Sequence, residues 1–219
     1  MVSKTPDEEP ALDIMLTQTQ ALGSTANVFY SKRNEKFGVS LYGSGHYQKA
    51  YDPEDDGFSN LPKTTSISFN PKLFYYPSDK TTLWFGLNGT YDDRIGGDIT
   101  KIENGEDGIH QYTEENNSKR LSSQLVYQTQ LDSISSLEFK NSVSFFDRNL
   151  TVPDFNFDGK QTNTFTEITY NTASEKTDWI VGANLYTSNF DENDNAPLQR
   201  DQKDVTFGAF ANNIFDISD

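Results

Sequence analysis

The run Asp52-Pro-Glu54-Asp-Asp56-Gly57 is the stretch of this chain whose residue types and spacing best suit metal chemistry. Carboxylates at alternate positions before a glycine can turn their oxygens onto one hard cation, so Asp52, Glu54 and Asp56 are candidate calcium ligands, with Gly57 allowing the bend. The twelfth position of that loop is Lys63 where an EF-hand needs a bidentate Glu, and a simply hydrated acidic loop is the competing reading. Asp191, Glu192 and Asp194 form a second, weaker acidic cluster. Of the two histidines, His46 belongs to the polar face of an alternating segment, whereas His110 lies in the longest polar stretch and is a candidate ligand contact. Phe155 and Phe157 alternate with polar residues beside Pro153 and would offer a ligand an aromatic platform. No Ser, Cys or carboxylate stands at catalytic spacing from either histidine, so an enzyme is not expected.

These residues depend on what holds them. Between polar stretches the chain alternates strictly: Phe37, Val39, Leu41, Gly43 and Gly45 fall on one face, and Ser40, Tyr42, Ser44, His46 and Gln48 on the other. The same period of two runs through Ile67 to Tyr75, Leu83 to Tyr91, Leu125 to Leu131, Leu137 to Phe145, Trp179 to Leu185 and Val205 to Ala209. With segments near 11–20, 26–32 and 162–172, it predicts about ten strands and almost no helix beyond short turns between Asp92 and Lys119. The expected connections alternate. Long polar ones run Asp52 to Lys63, Asp92 to Lys119, Asp147 to Lys160 and Asp191 to Lys203, with a shorter one at Ala21 to Thr25. Tight ones sit at Arg33 to Lys36, Pro77 to Lys80, Asp132 to Ser136 and Ala173 to Thr177.

In an up-and-down antiparallel sheet, alternate connections share an end, so all the long loops belong to one edge. That asymmetry, with strands of more than the usual five or six residues, is the pattern of a transmembrane β-barrel wall. Aromatic side chains near strand ends (Tyr75, Tyr76, Trp84, Trp179, Phe145 and Phe146) suit the girdles of such a wall. A soluble or surface β-sandwich binding calcium and carbohydrate shares the same alternation and is the alternative. Mean hydropathy of −0.72 does not decide, because a lipid-facing strand shows apolar side chains only at every second position.

The formal charge of −15 and the absence of any basic run exclude nucleic acid as a partner. More than half of the 33 acidic side chains fall in the four long connections, which gives that edge a negative rim. The chain has no cysteine, which fits a cell-envelope protein weakly.

The runs Ala21-Leu-Gly-Ser-Thr-Ala-Asn-Val-Phe-Tyr-Ser31, Lys49-Ala-Tyr-Asp-Pro-Glu-Asp-Asp-Gly-Phe58, Asn70-Pro-Lys-Leu-Phe-Tyr-Tyr76, Phe145-Phe-Asp-Arg148 and Asn156-Phe-Asp-Gly-Lys-Gln161 resemble, in this order, the barrel of TonB-dependent outer-membrane receptors of Bacteroidetes type. The resemblance implies a 22-stranded barrel with an N-terminal plug, importing siderophore-bound iron, vitamin B12 or glycans with energy from an inner-membrane TonB complex. Its partners would be outer-membrane lipid, a small-molecule nutrient, and the plug domain. Against that pattern this chain carries about ten strands and no plug. Residues 1–10 contain no apolar export segment, and Asp216-Ile-Ser-Asp219 is not an aromatic-terminated final strand. The expectation is therefore a disordered 1–10 segment followed by a partial barrel domain over 11–219, part of a longer outer-membrane protein.

Overall fold

The computed structural model describes residues 5–105, 107–192 and 200–215. Ten strands follow one another: β1 (Ala11–Gln18), β2 (Gly23–Arg33), β3 (Phe37–Gln48), β4 (Lys63–Ser78), β5 (Thr81–Gly97), β6 (Thr113–Gln130), β7 (Ser135–Val152), β8 (Phe155–Ala173), β9 (Thr177–Glu192) and β10 (Gln202–Phe215). They form one sheet in the order β1 to β10, every neighbouring pair antiparallel. One helix of six residues, α1 (Ile99–Asn104), interrupts the β5–β6 connection.

The register keeps the sequence alternation coherent across the sheet. Ile14, Val28, Gly43, Phe69, Gly89, Leu121, Phe145, Thr162, Asn189 and Lys203 form one continuous row of cross-strand partners, and all project to the same face. Leu73, Leu83, Phe85, Leu125, Phe139 and Ile168 project to that face too. Among the described residues no second sheet covers it. Leu73 is 61% exposed and Phe207 73% exposed, and among the described residues the buried apolar side chains, Pro6 aside, are Ala21, Phe74 and Val126. A sandwich would bury this face against a partner sheet. Here it is bare, as a lipid-facing surface is in water-free surroundings.

The apolar band crosses the sheet on a slant. It is centred on Ile14 in β1, but by β9 the apolar residues Trp179, Val181, Ala183 and Leu185 lie several residues nearer the short turns than Asn189, which shares Ile14's row. A slip of about seven residues over the eight pairings from β1 to β9, at ~3.4 Å per residue and ~4.8 Å per strand, corresponds to strands inclined by roughly 30° to the band. Strands crossing an apolar slab obliquely are what barrel closure requires. On the same outward face toward the long connections, Lys119, Asp147, Lys160 and Asp191 are successive cross-strand partners, a row of alternating charge that borders the band at Leu121 and Phe145 and, because the band slants, stands further from it on β8 and β9. Lys160 Nζ stands 4.0 Å from Asp147 Oδ2.

The strands outrun their sequence signals. β4 to β9 have 16 to 19 residues each, where about 9–11 cross the hydrocarbon. The expected long connection from Asp147 to Lys160 is instead paired backbone, with β7 and β8 joined by Pro153 and Asp154 alone. The Ala21 connection is also tight, spanning Thr19 to Leu22. The connections Lys49–Pro62 and Asp98–Tyr112 remain long, and that beyond Glu192 includes residues 193–199, outside the described set, so that Asp194 is among the residues not described. At the opposite edge all four connections have two to four residues. The edge asymmetry therefore stands, carried by fewer loops.

Of the expected disordered segment, residues 1–4 lie outside the described set. Thr5 to Pro10 form neither helix nor strand, but Pro6 is buried and the Arg33 amide donates to the Asp7 carbonyl at 2.7 Å. The aromatic residues near strand ends divide by parity. Tyr75, Phe145 and Trp179 project to the apolar face, whereas Tyr76, Trp84 and Phe146 project to the polar one. There Trp84 packs 6.1 Å from Phe74, with Lys72 Nζ 5.0 Å above its ring.

Candidate functional site

The residues with chemical potential gather at the long-loop edge and the part of the polar face beneath it. In the Lys49–Pro62 connection, Asp52 organises the backbone: its Oδ1 accepts from the amides of Glu54 (3.2 Å) and Asp55 (2.9 Å), and its Oδ2 from Gly57 (2.8 Å). Asp56 Oδ1 accepts from the Phe58 amide at 2.9 Å. These carboxylates serve the loop's own amides, and among the described residues no three His, Asp or Glu side chains converge as a metal site. In this structure Asp52, Glu54 and Asp56 do not converge on a common point. Alternate spacing brings oxygens together only if the backbone curls around a cation, whereas here Asp55 and Gly57 take positive φ and fold the amides onto Asp52.

The same connection is tied to the next one. The Ser59 amide donates to the Gly97 carbonyl (2.9 Å), the Gly97 amide to Ser59 Oγ (2.9 Å) and the Ile99 amide to the Gly57 carbonyl (3.0 Å). Asp98, buried, caps α1 by accepting from the Thr100 and Lys101 amides. Lys101 Nζ donates to the Gln111 carbonyl at 2.9 Å, closing the loop above the helix.

His110 is held by Asp107. The amides of Ile109 and His110 donate to Asp107 Oδ1, and His110 Nδ1 lies 2.6 Å from Asp107 Oδ2. The hydrogen bonds from His110 and Ile109 hold the Asp107 carboxyl well below the usual carboxylate range, and the bond to Asp107 raises the imidazole above its ordinary 6.5. His110 lines a cavity of about 470 Å³ together with Gln111, Thr113, Glu115, Thr151 and Pro153. Phe155 and Phe157 do not line it. They sit on the polar face of β8, and Phe157 stacks on Phe190 of β9 with centroids 6.3 Å apart and planes at 11°. A Cβ on Gly159 would come within 2.7 Å of the Phe157 ring and 2.9 Å of Phe190, so the pair lies flat over that glycine.

Arg200 sits 5.6 Å above the Phe157 ring and is gripped by Glu192, which accepts from the Arg200 amide (3.0 Å), from Nε (2.8 Å) and, with its second oxygen, from the terminal guanidinium. Nearby on the polar face, Arg94 Nε pairs with Asp92 at 2.6 Å, Arg120 lies 4.7 Å above the Phe146 ring, and Arg148 Nε donates to Asn116 Oδ1 at 3.1 Å. The sequence reading singled out none of Phe190, Arg120, Arg148 or Arg200. Parity was the available signal, since Arg33, Arg94, Arg120 and Arg148 all fall on the polar side of their strands. His46 takes its expected place there, its Nδ1 2.8 Å from Thr25 Oγ1.

A single up-and-down antiparallel sheet with a bare apolar face, an opposite polar face and all its long connections at one edge has the architecture of an outer-membrane β-barrel wall. Among solved structures, the chain is similar to the copper transporter OprC, with a TM-score of 0.52 and 9% identity over 99% of this chain and 44% of that one. The likeness is one of fold, and this chain spans less than half the length of that protein. No protein-family model and no curated protein matches the chain.

Proposed function

We propose that this chain is part of the wall of an outer-membrane receptor that takes up a scarce nutrient, with ligand contacts at the long-loop edge and along the polar face. The bare apolar band is the observation that carries the reading: a ten-stranded sheet with this much exposed Leu, Ile and Phe needs lipid against it. In this reading β1 and β10 pair with further strands of a longer protein, because an open edge cannot stay in hydrocarbon with its amides and carbonyls unpaired. The residue runs that resemble TonB-dependent receptors support coupling through a plug to an inner-membrane TonB complex. They also support a Bacteroidetes-type source, and a ligand among siderophore-iron, vitamin B12 and glycans. His110, in its cavity, and Phe157 are the contacts we assign to the ligand's path. Phe155, half exposed at the turn, marks its entrance.

The two tryptophans test the facing. Trp179 lies on the apolar face and Trp84 on the polar one. In chains refolded into vesicles, brominated acyl chains should quench Trp179 strongly, read in a Trp84→Phe variant. Trp84, read in Trp179→Phe, should respond instead to aqueous iodide. Equal response of both to either quencher would sink the wall reading.

A further inference from the structure

The chain has five arginines, and four of them, Arg94, Arg120, Arg148 and Arg200, form an arc across the polar face just below the long-loop edge. The outer two are neutralised. Arg94 holds Asp92, and Arg200 holds Glu192 through both carboxylate oxygens. The inner two are not. Arg120 and Arg148 stand on adjacent strands, diagonal to one another across the Arg120–Phe146 pairing, with Cβ atoms about 7 Å apart. Among the described residues neither makes an ion pair.

The cross-strand row through Arg148 sharpens the point. It reads Asp92, Ser118, Arg148, Gly159, Glu192, so two carboxylates lie in line with Arg148, and each is already engaged by its own arginine. In a chain of net charge −15, acidic partners are plentiful, and two adjacent guanidiniums left without one are a specific arrangement. Each is oriented by a neutral neighbour, Arg120 by the Phe146 face and Arg148 by Asn116, which leaves the outer guanidinium donors free. Beside them the Phe157–Phe190 pair lies flat over Gly159 and presents an apolar shelf.

We propose that Arg120 and Arg148 form an anion-anchoring subsite, taking a carboxylate or phosphate group of a small ligand whose planar apolar part rests against Phe157 and Phe190. Two guanidinium forks suit a bidentate oxyanion in a way that point charges do not. The subsite rests on the receptor reading, since it uses the polar face as the ligand's path, and it narrows the nutrient to one with an acidic group.

The test uses the whole chain in dodecyl maltoside micelles with ¹⁵N-labelled arginine, whose five Nε signals are assigned by single Arg→Lys variants. Benzoate and phenyl phosphate are the probes, and benzamide is the uncharged control. The signals of Arg120 and Arg148 should move saturably with one or both anions and stay still with benzamide, while Arg33, on the same face but distant, stays still throughout. The tighter anion tells whether carboxylate or phosphate is the natural group. Arg120→Lys or Arg148→Lys should weaken binding about tenfold or more, the worth of a lost charge-assisted fork, whereas Arg33→Lys should leave it unchanged. All five signals drifting together without saturation, or none moving, overturns the subsite, and the unsubstituted chain alone decides this. If that happens while Trp179 and Trp84 still report opposite faces, the wall reading stands without the subsite.

Discussion

At the residue scale, Asp107 and His110 make the conformation of the β5–β6 connection sensitive to pH. His110 is bound most tightly as imidazolium, so its contribution is whole below the ordinary imidazole value of 6.5 and is lost as pH rises through the raised one. Asp107 works in the opposite sense: its contribution is present above the ordinary carboxylate value of 3.8 and disappears only as pH falls through the lowered one. Between the two the pair is complete. Imidazole NMR should place the His110 midpoint above 6.5, and Asp107→Asn should bring it down; a midpoint unmoved by that substitution would show the contact to be idle. Asp52 gives a second expectation. Asp52→Ala removes the acceptor of three amides, so limited proteolysis should cut the Lys49–Pro62 connection faster. Both sites show what spacing conceals. The carboxylates of Asp52 and Asp56 were visible as a cluster, but whether they face a cation or their own amides is set by the positive φ of Asp55, which no spacing reveals.

At the element scale, the informative place is the β7–β8 hairpin. Pro153 followed by Asp154 at φ 65° fits a turn with proline first and a left-handed residue second, and it replaces what reads in the sequence as a long loop. Asp154→Gly should leave the hairpin as stable or slightly more so, whereas Asp154→Val should cost about 1 kcal/mol, measured by urea unfolding in vesicles. If valine cost nothing, the turn would have another shape. Seven of the ten strands were legible from alternation, which is strict where one face is apolar, while β1, β2 and β8 read only as segments between turns. The upper ends of the strands were not legible: beyond the band both faces meet water, Asp147, Arg148 and Asn149 are polar in succession, and period two vanishes although the ladder continues. The arginine arc was hidden for a related reason, since its members are far apart in sequence and meet only through the register of three hairpins.

For the whole molecule, the slanted band separates the two faces sharply enough for substitution to tell them apart. Leu73→Arg, on the apolar face, should cost roughly 2–4 kcal/mol in vesicles if it sits near the bilayer midplane, while Ser68→Arg on the polar face should cost much less. Equal costs would mean that the band does not meet lipid. In plain buffer the unsubstituted chain should aggregate and in detergent stay dispersed, read by light scattering, because the band and the two free edges are both adhesive.

Where the row of alternating charge borders the band, at Lys119 and Asp147, it acts as a waterline, with Lys160 and Asp191 standing further out. Sinking the wall would strip hydration from these two charges first, and lifting it would drag Leu121 and Phe145 out of the oil. In a bilayer this edge should hold the wall at a fixed draught, with changes in thickness taken up at the short-turn end. The height at which the long connections stand above the surface then stays constant, whatever lipid surrounds them.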